Sequence, residues 1–286
     1  MRDTPATPAA VDAMRARLHA LHPDDPARVA RRELPACEWL LGLRREGAAR
    51  VVAVNGPQGA GKSSLCASAV EALAAAGARA VSVSIDDFYL PYEGQRALAA
   101  AHPGDPYLEL RGYPGTHDIP LGCSVIDALV ADRGGGVAVP AYDKSARGGR
   151  GDRAPPSGWR VATGPFDLVL FEGWMLGFAP VGADALADPG MAAANALLAG
   201  YAPWTARCDG LLHLAMADAS SVLRWRVQAE RARREAGLGG LSDDEALDYV
   251  RRFVPAYATW SPEVPGPRMT LTLGEDRLPL AKTHHA

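Results

Sequence analysis

The octapeptide GPQGAGKS at residues 56 to 63 has the residue types and spacing needed to hold a polyphosphate. It fits GxxxxGK[ST] and sits between VVAVN, an apolar run rich in β-branched residues, and SSLCASAVEALAAAG, where Leu65, Ala69, Val70 and Leu73 recur at helical spacing. Glycines let the backbone curl so that successive N–H groups face phosphate oxygens, and the helix that follows adds the positive end of its dipole. On this reading Gly56, Gln58, Gly59, Ala60, Gly61, Lys62, Ser63 and Ser64 form a nucleotide site. Lys62 would reach the β and γ phosphates of the nucleotide, and the Ser63 hydroxyl would ligate Mg²⁺.

A phosphate loop alone leaves kinases, GTPases, motors and transporter ATPases open, so the other strand ends decide. The sequence holds no NKxD-like guanine motif and no LSGGQ-like transporter signature. Glu172 follows the apolar run FDLVLF directly, where an acidic group can organise the metal or its waters. SIDDFYL supplies Asp86 and Asp87 at the end of another strand pattern. Transfer to an alcohol needs one carboxylate to orient the hydroxyl and accept its proton. Strand alternation sends the two aspartates to opposite sides, and a turn-capping role suits the second. Arg224, Gln228 and Arg231 recur at i, i+4, i+7 on a C-terminal helix and are candidates for a lid that steadies transition-state charge.

These groups must be carried by elements with a common edge. Strand patterns at residues 51–55, 80–85, 137–140, 168–171 and 211–216 are separated by segments long enough for crossovers, which predicts an α/β fold with a parallel sheet flanked by helices. The ligand edge is then the carboxyl ends of the strands. Residues 91–120 and 141–165 are rich in Pro and Gly and too long for ordinary connections, so they read as substrate-binding insertions. Residues 1–48, with helices expected at 10–21 and 37–45, read as an N-terminal appendage to a domain spanning 49–286. Helices are expected at 220–235 and after Ser242, where SDDE has capping-box form.

The 286-residue chain is 48% hydrophobic and carries a formal charge of −3, which gives no global attraction to nucleic acid or to a lipid surface. Its four cysteines show no zinc or disulfide spacing, and no apolar run approaches the length of a membrane span. A cytoplasmic location is expected. The Arg-Gly-Asp triplet at residues 150–152 therefore reads as a coincidence of spelling rather than an adhesion signal.

Taken in order, GPQGAGKSS, SIDDFYLP, RGYPGTHD, PAYDKSARGGRGDR, FEGWMLGF, LRWRVQAE and LSDDEALDYVRRFVPAYATW resemble the motifs of the D-glycerate 3-kinases. Those enzymes are P-loop kinases related more distantly to phosphoribulokinase, uridine kinase and pantothenate kinase. The likeness spans roughly residues 50–260. It implies phosphoryl transfer from ATP to the 3-hydroxyl of D-glycerate, with Asp86 as base, Lys62 and Ser63 serving the nucleotide and Mg²⁺, and Glu172 organising metal or substrate. It places RGYPGTHD in the acceptor pocket, with His117 and Asp118 as candidates. Arginine suits bidentate recognition of a small carboxylate. Arg111, Arg147, Arg150 and Arg153, with Tyr142, Asp143 and Lys144, are the candidate acceptor contacts. A related kinase acting on uridine, pantothenate or another small alcohol is the alternative.

Overall fold

Along the first strand, Val51 and Ala53 face one apolar layer and Val52 and Val54 face the other, all of them buried. A strand apolar on both faces belongs in the middle of a covered sheet. The computed structural model, which describes residues 7–44, 50–237 and 239–285, places it there. The order of elements is α1 (Pro8–Leu21), α2 (Leu34–Gly42), β1 (Arg50–Asn55), α3 (Lys62–Ala75), β2 (Ala80–Ser84), α4 (Tyr92–Ala101) and α5 (Ile119–Ala131). Then come β3 (Val137–Val139), β4 (Tyr142–Asp143), β5 (Asp152–Arg153), β6 (Arg160–Ala162), β7 (Leu168–Gly173), β8 (Gly210–Met216), α6 (Ser220–Glu235), α7 (Asp243–Arg251), α8 (Val254–Thr259), β9 (Arg268–Leu273) and β10 (Pro279–His285).

Six strands form the main sheet in the order β10-β9-β8-β1-β7-β2. All pairings are parallel except that of β10 with β9. The α/β architecture is the one expected, with two differences. The strand expected at residues 137–140 lies outside this sheet: β3 pairs antiparallel with β6 in a separate ribbon. Only one of its three residues is buried, whereas a strand inside a parallel sheet is covered on both faces. The sheet is instead extended by β9 and β10, which the sequence reading did not include.

One face of the sheet packs on α5 through Val125, Ile126 and Leu129, with Trp204 and Phe88 between them. The other face is covered by α3 and by the N-terminal helices, where Met14, Leu18, Leu40 and Leu65 join Val52, Leu170, Leu212 and Met269 in one layer. Full burial of such side chains contributes about 1.5–3 kcal/mol each. Between α1 and α2, Val29–Glu33 is wound as a π-helical turn with Arg32 and Glu33 buried. The capping box at Ser242 forms as expected. The Ser242 hydroxyl accepts the Glu245 N–H at 3.3 Å, and the Glu245 carboxylate accepts the Ser242 N–H at 2.8 Å.

Candidate active site

Strand register brings the chemistry together. Glu172 on β7 stands opposite Val54 on β1 and Ser84 on β2, so the loop after β1, the end of β7 and the turn after β2 share one edge. Gly59 and Gly61 adopt positive φ (78° and 83°), and α3 starts at Lys62, leaving the N–H groups of its first turn without intrahelical acceptors. Lys62 Nζ donates to the Pro57 carbonyl at 3.1 Å. Burial lowers its pKa, while Glu172 and Asp86 pull the other way. Ser63 Oγ donates to Glu172 Oε1 at 2.7 Å, and Glu172 is buried. Adjacent hydroxyl and carboxylate oxygens fit magnesium, which takes one or two protein oxygens and completes its shell with water and phosphate.

β2 ends at Ser84, and Ile85–Phe88 form a single 3₁₀ turn, so alternation does not set the directions of Asp86 and Asp87. Their roles divide all the same. The Asp87 carboxylate accepts the Ser84 N–H at 3.2 Å, a capping bond, and burial raises its pKa to about 6 despite that bond. Asp86 meets Lys144 Nζ at 2.5 Å. Burial would raise the Asp86 pKa, but the charge and hydrogen bond of Lys144, with the charge of Lys62, outweigh it and hold the carboxyl below its ordinary value. Lys144 is raised in turn, chiefly by Asp86.

Tyr89 stacks on His117 with ring centroids 4.4 Å apart and meets Tyr142 edge-on at 5.2 Å. Burial, then the Asp86 charge, keeps the Tyr89 phenol protonated well above its usual range. His117 Nδ1 lies 2.7 Å from the Tyr201 hydroxyl, which itself accepts the Gly115 N–H at 2.9 Å. Burial lowers the His117 pKa to about 3, so the ring is neutral. Among the described residues, neither buried His117 Nε2 nor the buried Tyr142 hydroxyl has a hydrogen-bond partner.

Lys144 is carried by a β4–β5 hairpin whose strands pair Tyr142 with Arg153 and Asp143 with Asp152. Three of the side chains expected to touch the acceptor, Arg111, Asp143 and Arg147, instead hold this hairpin together. Arg111 donates to the carbonyls of Gly149 (2.9 Å), Arg150 (2.5 Å) and Lys144 (3.4 Å), and lies over the Tyr142 ring. The Asp143 carboxylate accepts from the Ser145 N–H and hydroxyl and the Ala146 N–H. Arg147 pairs with Asp152 at 3.1 Å and covers Tyr92. Arg150 lines a 160 Å³ cleft with Tyr92, Gln95, Arg96 and Glu109.

No family model matches the chain. It is 41% identical over 217 residues to the chloroplastic D-glycerate 3-kinase of Arabidopsis thaliana, a match covering 74% of this chain and 48% of the plant protein. It is 35% identical to the uncharacterized kinase mug58 of Schizosaccharomyces pombe, covering 74% of this chain and 81% of that one. The chain belongs to the D-glycerate 3-kinase family. Among solved structures, the D-glycerate 3-kinase from Cryptococcus neoformans superposes with a TM-score of 0.75 at 25% identity, covering 98% of this kinase and 100% of that chain.

Arg224 and Arg231 of this kinase, expected in a lid, are engaged on the flank of α6. Arg224 pairs with Glu275 at 2.7 Å and Arg231 with Asp243. Gln228 lies on the same helix and is exposed. Sequence reasoning missed several groups that build the site. Asn55 at the end of β1 donates to the carbonyls of Trp174 (3.1 Å) and Leu176 (2.7 Å), tying the phosphate loop's strand to the chain leaving β7. Tyr257 on α8 accepts the Gln58 N–H at 3.1 Å. An asparagine ending an apolar strand was a usable signal for the first; the second spans a distance that no local pattern marks. Arg153 and Asp118, both expected near the acceptor, pair with each other at 3.1 Å, and Arg153 also donates to the Tyr89 carbonyl at 2.9 Å. Among the described residues no helix is long and apolar enough to cross a membrane.

Proposed function

We propose that this kinase transfers the γ-phosphate of ATP to the 3-hydroxyl of D-glycerate, releasing ADP and 3-phosphoglycerate. The observation that carries the reading is the Asp86–Lys144 pair, charge-coupled to Lys62 of the phosphate loop and sharing its sheet edge. A nucleotide switch has no use for a partly exposed carboxylate poised beside a cation next to its phosphates; an enzyme that activates a hydroxyl has. The family and the D-glycerate 3-kinases among its relatives support the choice of acceptor.

In this mechanism Asp86 is ionised at neutral pH. It orients the acceptor hydroxyl and takes its proton as the new O–P bond forms and the bond to ADP breaks. Lys62 offsets charge on the β and γ phosphates, and the α3 N-terminus cradles them. Lys144 holds Asp86 ionised and stands where an anionic acceptor arrives. The unpartnered His117 Nε2 and Tyr142 hydroxyl are the acceptor's hydrogen-bonding partners. Ser63 and Glu172 would hold Mg²⁺, which supplies neutralisation of phosphate charge when bound. The free cysteines, three of them buried, are compatible with a reducing cytoplasm.

ADP release measured with D-glycerate, uridine and pantothenate in parallel tests the reading. Stimulation by D-glycerate alone is expected. Stimulation by either of the others in its place would overturn the acceptor assignment.

A further inference from the structure

Three consecutive carbonyls of the phosphate loop are each met by a guanidinium on the loop's outer side. Arg277, in the turn between β9 and β10, donates through Nε to the Gly59 carbonyl at 2.7 Å. Arg32, in the π-helical turn before α2, donates through one terminal nitrogen to the carbonyls of Ala60 and Gly61, both at 2.9 Å. The two arginines come from residues 28 and 218 positions away from the carbonyls they hold. Arg32 is 3% exposed, and burial lowers its pKa. An arginine stays charged even so, and such a charge is costly to bury without compensating bonds.

A trans peptide is planar with its C=O and N–H opposed. Holding the carbonyls of Gly59, Ala60 and Gly61 outward therefore turns the N–H groups of Ala60, Gly61 and Lys62 to the concave side. The Ala60 N–H closes the loop on the Pro57 carbonyl at 3.2 Å, which leaves the N–H groups of Gly61 and Lys62 to face a phosphate. Gly61 shows why the loop must be bare at this point: a Cβ there would lie 2.9 Å from an Arg32 terminal nitrogen. The N-terminal segment also bonds to α3 directly: Arg28 donates to Ser64 Oγ at 2.7 Å while pairing with buried Glu33 at 2.7 Å, and Arg17 pairs with Glu71 at 2.8 Å.

We propose that Arg32 and Arg277 are positioning residues of the nucleotide site, a two-sided clamp that keeps the phosphate loop's N–H groups converging on ATP. The N-terminal helical segment is thereby part of that site. Neither arginine faces the phosphates; each acts through the backbone it holds. The inference rests on the reading of the loop as an ATP site and extends it to residues outside the motif.

The test uses the full chain with Arg32→Met, Arg32→Lys and Arg277→Met, titrated with a fluorescent methylanthraniloyl-ATP and checked for native packing by near-UV circular dichroism. Loss of a charge-assisted bond is expected to weaken nucleotide binding about tenfold in each methionine variant. Arg32→Lys recovers part of that loss, and KM for the acceptor at saturating ATP stays within about twofold, since the clamp touches only the nucleotide side. Natively packed variants that bind the nucleotide as tightly as the wild type overturn the clamp, as does an acceptor KM that moves with nucleotide affinity. If Arg32→Met fails to pack, half-buried Arg277 decides by the same criteria. A wild-type chain that binds no nucleotide removes the ATP-site reading and the clamp together.

Discussion

The two halves of the site are built on different principles. The nucleotide half is backbone, braced from behind: Arg32, Arg277 and Tyr257 hold a glycine loop whose strand is buried on both faces. The acceptor half is side chain, set on a hairpin of two paired residues per strand with a mostly exposed tip at 143–150. One cation, Arg111, gathers that tip by its carbonyls. Polyphosphate is a generic ligand that a rigid cradle of N–H groups can hold, whereas a small hydroxy acid must be recognised group by group. The shared part is narrow: Lys62 and Asp86 couple the halves by charge across the sheet edge.

Substitutions that damage one half and spare the other would sharpen this contrast. The largest effect is expected at Asp86. Asp86→Asn removes the proposed proton acceptor and should lower kcat about 10³-fold while the dissociation constant for ATP stays near the wild-type value. A parallel loss of ATP affinity in a nucleotide titration would show that the halves are not separable. Gly151→Ala comes next. Gly151 has φ 81°, and an added Cβ would lie 2.5 Å from the Tyr142 ring and 2.9 Å from Arg111. Steady-state kinetics should show KM for the acceptor rising about tenfold from displacement of the hairpin, with KM for ATP unchanged. An unaltered acceptor KM would mean that the hairpin does not shape the acceptor pocket.

The smallest effect separates the two neighbouring aspartates. Asp87 has a folded pKa of about 6 against an ordinary 3.8, so the folded state binds more protons than the unfolded state between those values. Its contribution favours the fold at the acid end of that window and is lost as pH rises towards 6. Relative to Asp87→Asn, the wild-type Tm should fall by about 2 °C from pH 4 to pH 6.5, as followed by circular dichroism. Equal slopes would remove Asp87 as a buried titrating group. Asp86, held below its ordinary value, should place the acid limb of kcat under the usual carboxylate range.

What could be read from the sequence was local. The phosphate loop, its strand and its helix occupy contiguous residues and were found in place; Glu172 was found because an acid ending an apolar strand must lie on the ligand edge. A capping role for the second aspartate also followed from its position. The directions of Asp86 and Asp87 did not, because the chain leaves the strand at Ser84 and alternation stops with it. The run at 137–139 looked like any short strand, and only its exposure separates it from the main sheet. Arg111 had the right chemistry for a carboxylate, but a guanidinium serves peptide carbonyls equally well, and those lie 38 and 39 residues away. Arg32 belonged to no motif, since its partners are defined by the packing of a π-helical turn against a loop.

The central claim is chemical: one hydroxyl of one acceptor receives the phosphate. NMR of the product formed from D-glycerate and ATP tests it most directly. The account predicts 3-phosphoglycerate, with phosphorus coupled to the terminal CH₂ protons, formed by the wild type and almost absent with Asp86→Asn. Phosphorus coupled to the C2 proton instead, or no phosphorylated glycerate at all, would contradict it.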